Sequence, residues 1–248
     1  VPVAHIEAGM RSFDRSMPEE LSRVVTDHLS ELLLCSSVQA VANLQAEGLE
    51  DRAELIGDVM VDVALAAQPR ARERLDLVTS HRLEPGGFVL VTAHRSGTVD
   101  DRDRLELLVD LVCAIPLPAI LPLHPRTRSR LEAAGLLDRL AHDAKRLVLT
   151  EPLGYTELTA LLCNAHAVMT DSGGLQKEAY LAGVPCITLR PSTEWIETVA
   201  AGWNVLVDLD SVAALAALAR EHPRERPQLY GDGRAGARAV SALTLRLG

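Results

Sequence analysis

An α/β fold built on parallel sheets is what this sequence predicts, and three observations carry it. From residue 88 onward, short and almost uninterrupted apolar runs alternate with helix-length segments, over 88–92, 119–123, 146–150, 165–169 and 185–189. Runs of that kind are apolar on both faces, as strands are when helices cover both sides of a parallel sheet. Each run is followed by polar or turn-forming residues: His94-Arg95, His124-Pro125-Arg126, Glu151-Pro152, Asp171-Ser172, and Arg190 through Glu194. Ligands of open α/β sheets bind beyond the carboxyl ends of the strands, so these residues are expected to converge. The third observation is the run from Met169 to Ala179, where an apolar strand breaks at a glycine pair and restarts as a helix.

The elements before residue 88 follow in order. Residues 3–7 read as a strand, and Pro18-Glu19-Glu20 opens a long helix expected to run through Leu34. Cys35-Ser36-Ser37 is then a short strand and cap, a second helix covers 38–47, and 53–57 is another strand. The charged stretch 70–84, closing on Pro85-Gly86-Gly87, reads as the connection into the second sheet. The domain expectation is therefore 1–70 as the C-terminal part of a first Rossmann-like domain, 71–87 as a linker, 88–230 as a second domain, and 231–248 as a terminal helix packing back on the first. Val1-Pro2 stands one step before a strand, with no initiator Met, and two strand-helix units are few for a Rossmann-like half. The chain is thus expected to begin inside a domain.

With 248 residues and 48% hydrophobic content the chain can bury a sizeable core. No stretch approaches the roughly 18 consecutive apolar residues of a membrane span, and no secretory leader pattern opens the sequence, so a cytoplasmic location is expected. Thirty-four acidic against 25 basic side chains, a formal charge of -9, argue against a nucleic-acid backbone as partner. An anionic ligand would need a local basic pocket. Cys35, Cys113, Cys163 and Cys186 are widely separated in apolar runs, which fits reduced, buried thiols rather than disulfides or a metal knuckle.

The glycine-pair run has the chemistry of a nucleotide cradle. Ser172 is a good N-cap, Gly173 and Gly174 allow a phosphate to approach the unpaired amides of the first turn, and the helix N-terminus favours an anion. Glu178, one turn further on, can accept from both hydroxyls of a ribose. Taken alone, the same run is also explained as a strand-to-helix turn whose glycines serve backbone geometry. Glu7 alone reads equally as a strand-end carboxylate, Glu19 and Glu20 as acidic residues favouring the helix start after Pro18, and His94 as a capping histidine.

The order of motifs decides between these readings. His5-Ile6-Glu7-Ala8-Gly9-Met10-Arg11-Ser12, Met17-Pro18-Glu19-Glu20 with Arg23, and Asp27-His28-Leu29-Ser30 come first, followed by Gly57-Asp58, Thr92-Ala93-His94-Arg95, Leu123-His124-Pro125, Glu151-Pro152-Leu153-Gly154-Tyr155, the glycine cradle, Thr193-Glu194-Trp195 and Tyr230-Gly231-Asp232-Gly233. This succession resembles the non-hydrolysing UDP-N-acetylglucosamine 2-epimerases nearly end to end. The resemblance implies two Rossmann-like domains of glycosyltransferase-B type, the N-terminal one incomplete here, and a homodimer acting on a UDP-sugar. It implies inversion at C2 by anti elimination of UDP to a glycal and re-addition, with no metal and no other cofactor. By motif, Glu7, Glu19 and His94 are implied as catalytic, and Arg11 and Arg95 as phosphate or active-site partners. Ser172, Gly173, Gly174 and Glu178 are implied as UDP contacts, and His124 as touching a regulatory UDP-sugar.

Departures from the family pattern sit at Ser96-Gly97-Thr98, where a Glu and an Asn are usual, at Arg126 and at Gln228-Leu229. Thr193-Glu194-Trp195-Ile196-Glu197-Thr198 and Arg11-Ser12-Phe13 resemble the branch acting on diacetamido-uronic acid sugars, so a modified UDP-sugar is the alternative substrate. The same motifs are compatible with a hydrolysing 2-epimerase, with a glycosyltransferase of the same architecture, and with an inactive UDP-binding module.

Overall fold

The computed structural model describes residues 1–15, 17–221, 223 and 225–247. In chain order the elements are β1 (Ala4–Ala8), α1 (Pro18–Leu29), β2 (Leu32–Cys35), α2 (Val38–Ala46), a 3-10 turn (Glu50–Arg52), β3 (Ala53–Leu55), α3 (Val59–Glu73) and α4 (Leu75–Ser80). There follow β4 (Val89–Thr92), α5 (Ser96–Val99), α6 (Arg102–Ala114), β5 (Ala119–Pro122), α7 (Pro125–Ala134), α8 (Leu137–Asp143), β6 (Leu147–Thr150), α9 (Tyr155–Asn164) and β7 (Ala167–Thr170). The last are α10 (Gly173–Ala182), β8 (Cys186–Thr188), α11 (Ile196–Ala200), β9 (Asn204–Leu206), α12 (Ser211–Leu218) and α13 (Ala235–Leu247). Two compact units result: residues Val1–Ala66 with the chain from Pro227 onward, and Ala67–Arg226. No helix among the described residues is long and apolar enough to cross a membrane.

In the first unit, β1, β2 and β3 form a parallel sheet in that order. The central strand, Leu-Leu-Leu-Cys, is buried at every position. Alternation across the strand sends Leu33 and Cys35 to a cluster with Ala40 and Leu44 of α2, while Leu32 and Leu34 meet Ile56 and, from α13, Ala239 and Ala242. This corrects the expectation of a helix through Leu34 followed by a strand at Cys35. Helix α1 stops at Leu29, because Ser30 is extended (φ -84, ψ 143), and the three leucines are worth more between two layers than as a helical extension with one buried face. Ser37 does cap the next helix, its hydroxyl accepting from the Ala40 N–H at 3.2 Å.

The second unit is a six-stranded, all-parallel sheet in the order β6-β5-β4-β7-β8-β9. The chain steps outward from β4 to β6, then returns to lay β7 on the other side of β4. That reversal makes β4 and β7 the switch point, where such sheets open a crevice at their carboxyl ends. One apolar cluster holds Val89, Val91, Leu121 and Met169 with α6, and another holds Leu90, Ile120 and Val168 with α9 and α10. The segment 71–87 carries the end of α3 and all of α4, and Ala71, Val78 and Leu83 are buried in the second of these clusters. Strand β9 has no counterpart among the sequence expectations. It has three residues, and buried Asn204 is held by Thr188, Gln176 and Thr198, a polar arrangement without the apolar run that marks the other strands.

Candidate functional site

At the switch point the polar strand ends are tied to one another. Thr92 ending β4 and Thr170 ending β7 share register, and their hydroxyl oxygens lie 2.6 Å apart. The next residue on β7, Asp171, is wholly buried and accepts the backbone N–H groups of His94 and Arg95, each at 2.9 Å. Two charge-assisted hydrogen bonds thereby fix where the His94 and Arg95 side chains depart. Ser172 donates its N–H to the Thr170 hydroxyl at 2.9 Å and caps α10 by accepting from the Leu175 N–H at 3.4 Å.

Thr92, His94 and Ser172 lie on the wall of a cavity of about 280 Å³. Thr92, His94, His124, Ser172, Gly174 and Glu178 supply its polar wall, and Pro122, Pro152, Leu153 and Leu175 an apolar one. Glu178 is half-buried, and burial pushes its carboxyl above the usual value against the opposing effect of Lys177. Among the described residues no hydrogen bond or ion pair holds that carboxylate. The rings of His94 and His124 lie 5.3 Å apart. His94 is held below the ordinary histidine value by burial, then by the positive surroundings of His124, Arg95 and Arg126, with Asp171 opposing. His124 caps α7, its Nδ1 accepting from the Arg126 N–H at 3.2 Å. Two of the three departures are placed beside this cavity: Ser96-Gly97-Thr98 starts the short helix α5, and the Arg126 guanidinium pairs with Asp100 just beyond it.

Arg95, Ser172, Gly173, Gly174, Glu178, His94 and His124 are therefore brought together in the second unit. Glu7, Arg11 and Glu19 belong to the first. Glu7 occupies the left-handed region at φ 68, where the β1–β2 register slips between Ile6 and Ala8. A non-glycine residue held there costs of order 1–3 kcal/mol, so the surrounding fold imposes the orientation of this carboxylate. Glu19 is exposed on the first turn of α1. Its neighbour Glu20 is buried, accepting from the Ser12 N–H at 2.8 Å and the Phe13 N–H at 3.0 Å. Arg11 is 3% exposed, with Nε and Nη2 on Glu47 at 2.8 Å each and Nη1 on Asp27 at 2.7 Å and the Met10 carbonyl at 2.8 Å. Its guanidinium is engaged on every nitrogen by the protein itself.

Two buried carboxylates were quoted in the sequence motifs without being given a role. Asp27 is wholly buried and accepts from His5 at 2.6 Å, Arg11 at 2.7 Å and the Gly9 N–H at 3.1 Å. Burial alone would raise its carboxyl, but these bonds outweigh that and hold it below the usual range. Gly9 is obligatory there, at φ 78 with a Cβ position only 2.3 Å from the Ala40 carbonyl oxygen. Asp171 was marked only as a strand-end residue and Asp27 only within the Asp27-His28-Leu29-Ser30 motif, and in both cases the partner lies far along the chain.

The family described as UDP-N-acetylglucosamine 2-epimerase matches residues 1–244. The chain is 42% identical, over 98% of its length and 68% of the relative's, to the UDP-2,3-diacetamido-2,3-dideoxy-D-glucuronate 2-epimerase of Pseudomonas aeruginosa. To the UDP-N-acetylglucosamine 2-epimerase of Methanocaldococcus jannaschii it is 38% identical over 98% of its own length and 69% of the relative's. A structure of the M. jannaschii enzyme in complex with UDP-GlcNAc and UDP superposes with a TM-score of 0.88 at 37% identity, covering 99% of this chain and 69% of that one. The Neisseria meningitidis enzyme bound to UDP-GlcNAc gives 0.83 at 26%, covering 99% and 70%. The fold is α/β of the glycosyltransferase-B kind, and the chain belongs to the UDP-N-acetylglucosamine 2-epimerase family.

Proposed function

We propose that the protein is a UDP-sugar 2-epimerase interconverting UDP-N-acetylglucosamine and UDP-N-acetylmannosamine, with the nucleotide held in the cavity of the second unit. The observation that carries this reading is the half-buried Glu178 carboxylate facing the cavity one turn beyond the capped start of α10. Its geometry suits a ribose, whose two hydroxyls supply the donors a carboxylate in low dielectric lacks. The first-turn amides and Arg95 then receive the diphosphate, and the apolar wall of Pro122, Pro152 and Leu153 suits a planar base.

The proposed reaction makes two chemical demands. A carboxylate must take the weakly acidic C2 proton while the C1–O bond breaks and UDP leaves, and Glu7 or Glu19 is assigned that role. Negative charge grows on the departing diphosphate, and His94 and Arg95 are assigned to it. Re-addition of UDP with proton delivery to the opposite face completes inversion. The strained backbone at Glu7 favours it over exposed Glu19 as the oriented group. Homodimer assembly, implied by the resemblance, is checked by light scattering.

Incubation with UDP-N-acetylglucosamine in D2O tests the proposal. Epimerised product carrying deuterium at C2 is expected, and product retaining its proton rules out elimination and re-addition. The 42% identity to a uronic-acid epimerase favours one second reading, a diacetamido-uronic UDP-sugar as substrate. Competing the two UDP-sugars for the same enzyme decides between them through kcat/KM.

A further inference from the structure

The loop after β8 is wired onto the cradle helix at three points. Thr193 donates its hydroxyl to the Gln176 side chain at 2.6 Å, the Trp195 ring lies 4.4 Å under the Lys177 ammonium, and Glu194 between them turns toward the start of α10. Glu194 and Arg190 form a buried pair at 3.0 Å, their side chains 2% and 7% exposed. A methyl group built on Gly173 would stand 2.3 Å from Glu194 Oε1 and 3.6 Å from Arg95 Nη2. The carboxylate and the Arg95 guanidinium thus both lie within 4 Å of the Gly173 Cβ position, at the first turn of α10. Of the glycine pair, Gly174 lines the cavity, whereas Gly173 is buried beneath this carboxylate.

We propose that Glu194, anchored by Arg190, is a positioning residue for the diphosphate: it holds the Arg95 guanidinium over the first turn of α10, and residue 173 is glycine to admit that carboxylate. This rests on the UDP-sugar reading of the cavity. A long arginine side chain loses conformational freedom when it grips an anion, and a fixed carboxylate removes that loss in advance. Arg95, Arg190 and Glu194 together keep one net positive charge, so the trio remains attractive to a diphosphate.

Titration of the whole chain with UDP and with uridine, for wild type and Glu194→Gln, separates positioning from plain electrostatics. The substitution removes a negative charge, so electrostatics alone predicts tighter UDP binding. Positioning predicts the opposite sign: UDP weaker by about 5-fold or more, the scale of a lost charge-assisted contact, with uridine within about 2-fold. Unchanged or tighter UDP binding overturns the proposal, as does an equal loss for uridine. A second comparison does not depend on the stability of that variant. Gly173→Ala is expected to weaken UDP binding about 10-fold in the wild type but less than about 2-fold further in a Glu194→Ala background, because the methyl then has room. Equal losses in both backgrounds overturn the proposal, since the methyl then obstructs the phosphate directly. A wild-type chain that binds no UDP overturns the UDP-sugar reading together with this one, whereas normal UDP binding unaffected by Glu194→Gln removes this one alone.

Discussion

Asp27 in the first unit and Asp171 in the second are both wholly buried carboxylates near a histidine and an arginine, yet they satisfy their charge differently. Asp27 takes the side chains themselves, His5 at 2.6 Å and Arg11 at 2.7 Å, and Glu47 completes the arginine's coordination. Asp171 takes the backbone N–H groups of His94 and Arg95, leaving the His94 ring on the cavity wall at 3.5 Å from its carboxylate. The first arrangement consumes side-chain charge to hold a fold. The second uses a charge to aim side chains, and that difference separates a structural ion network from a binding site.

The largest expected effect breaks the first arrangement. Arg11→Ala leaves Asp27 and Glu47 without their common cation, and removing one partner of a buried pair costs about 3–5 kcal/mol. Urea unfolding should show that loss, with UDP affinity of the folded fraction unchanged. Undiminished stability with weakened UDP binding would return Arg11 to a phosphate-contacting role.

Next comes Asp171→Ala, which strands two N–H groups and is expected to cost about 2–4 kcal/mol. Unlike Arg11→Ala, it should also weaken UDP binding, because the strand ends carrying His94 and Arg95 lose their tether. Equal UDP affinity in the folded variant would mean that the tether is only structural.

Glu178→Ala should leave stability unchanged or slightly raised, since it removes a half-buried carboxylate that no described residue hydrogen-bonds. UDP affinity should fall about 10- to 100-fold, the worth of hydrogen bonds to a charged acceptor. Thermal shift with UDP and calorimetry check both halves. A variant that binds UDP normally would remove the ribose assignment.

The smallest effect is a proton. Burial holds His94 below the ordinary histidine value of about 6.5, so as pH falls below that value an unfolded chain binds the proton before the folded, unliganded ring does. His94 therefore contributes stability that is present above about pH 6.5 and lost as pH falls through its lower folded value. A bound diphosphate adds negative charge and favours the imidazolium, so UDP binding near pH 6 should take up a fraction of a proton. Calorimetry in two buffers of different ionisation enthalpy reads this uptake, and His94→Asn should abolish it. Identical enthalpies in both buffers would show that the ring does not face the phosphates.

What was legible in the sequence is what depends on near neighbours. Ser172 announced its capping of α10 because a cap needs only the amide three residues on, and Glu178 announced its place because one helical turn carries it to the same face. The C-terminus of helix α1 was not legible because Leu32, Leu33 and Leu34 continue an apolar pattern, and only a second layer distinguishes a buried strand from a longer helix. Arg11 read as a phosphate or active-site partner because its own partner Glu47 is 36 residues away.

By itself the sequence determined the parallel α/β architecture of the second unit, the family, and the strand ends where a nucleotide would be sought, since periodicity, caps and motif order are local properties. Tertiary structure alone decided which charges are consumed within the fold and which face the cavity. Only packing reveals that Arg11 closes on Asp27 and Glu47, that Asp171 aims His94, and that Gly173 makes room for Glu194. The physical reason is that a charged side chain is defined by the partner it reaches, and chain topology sets that partner.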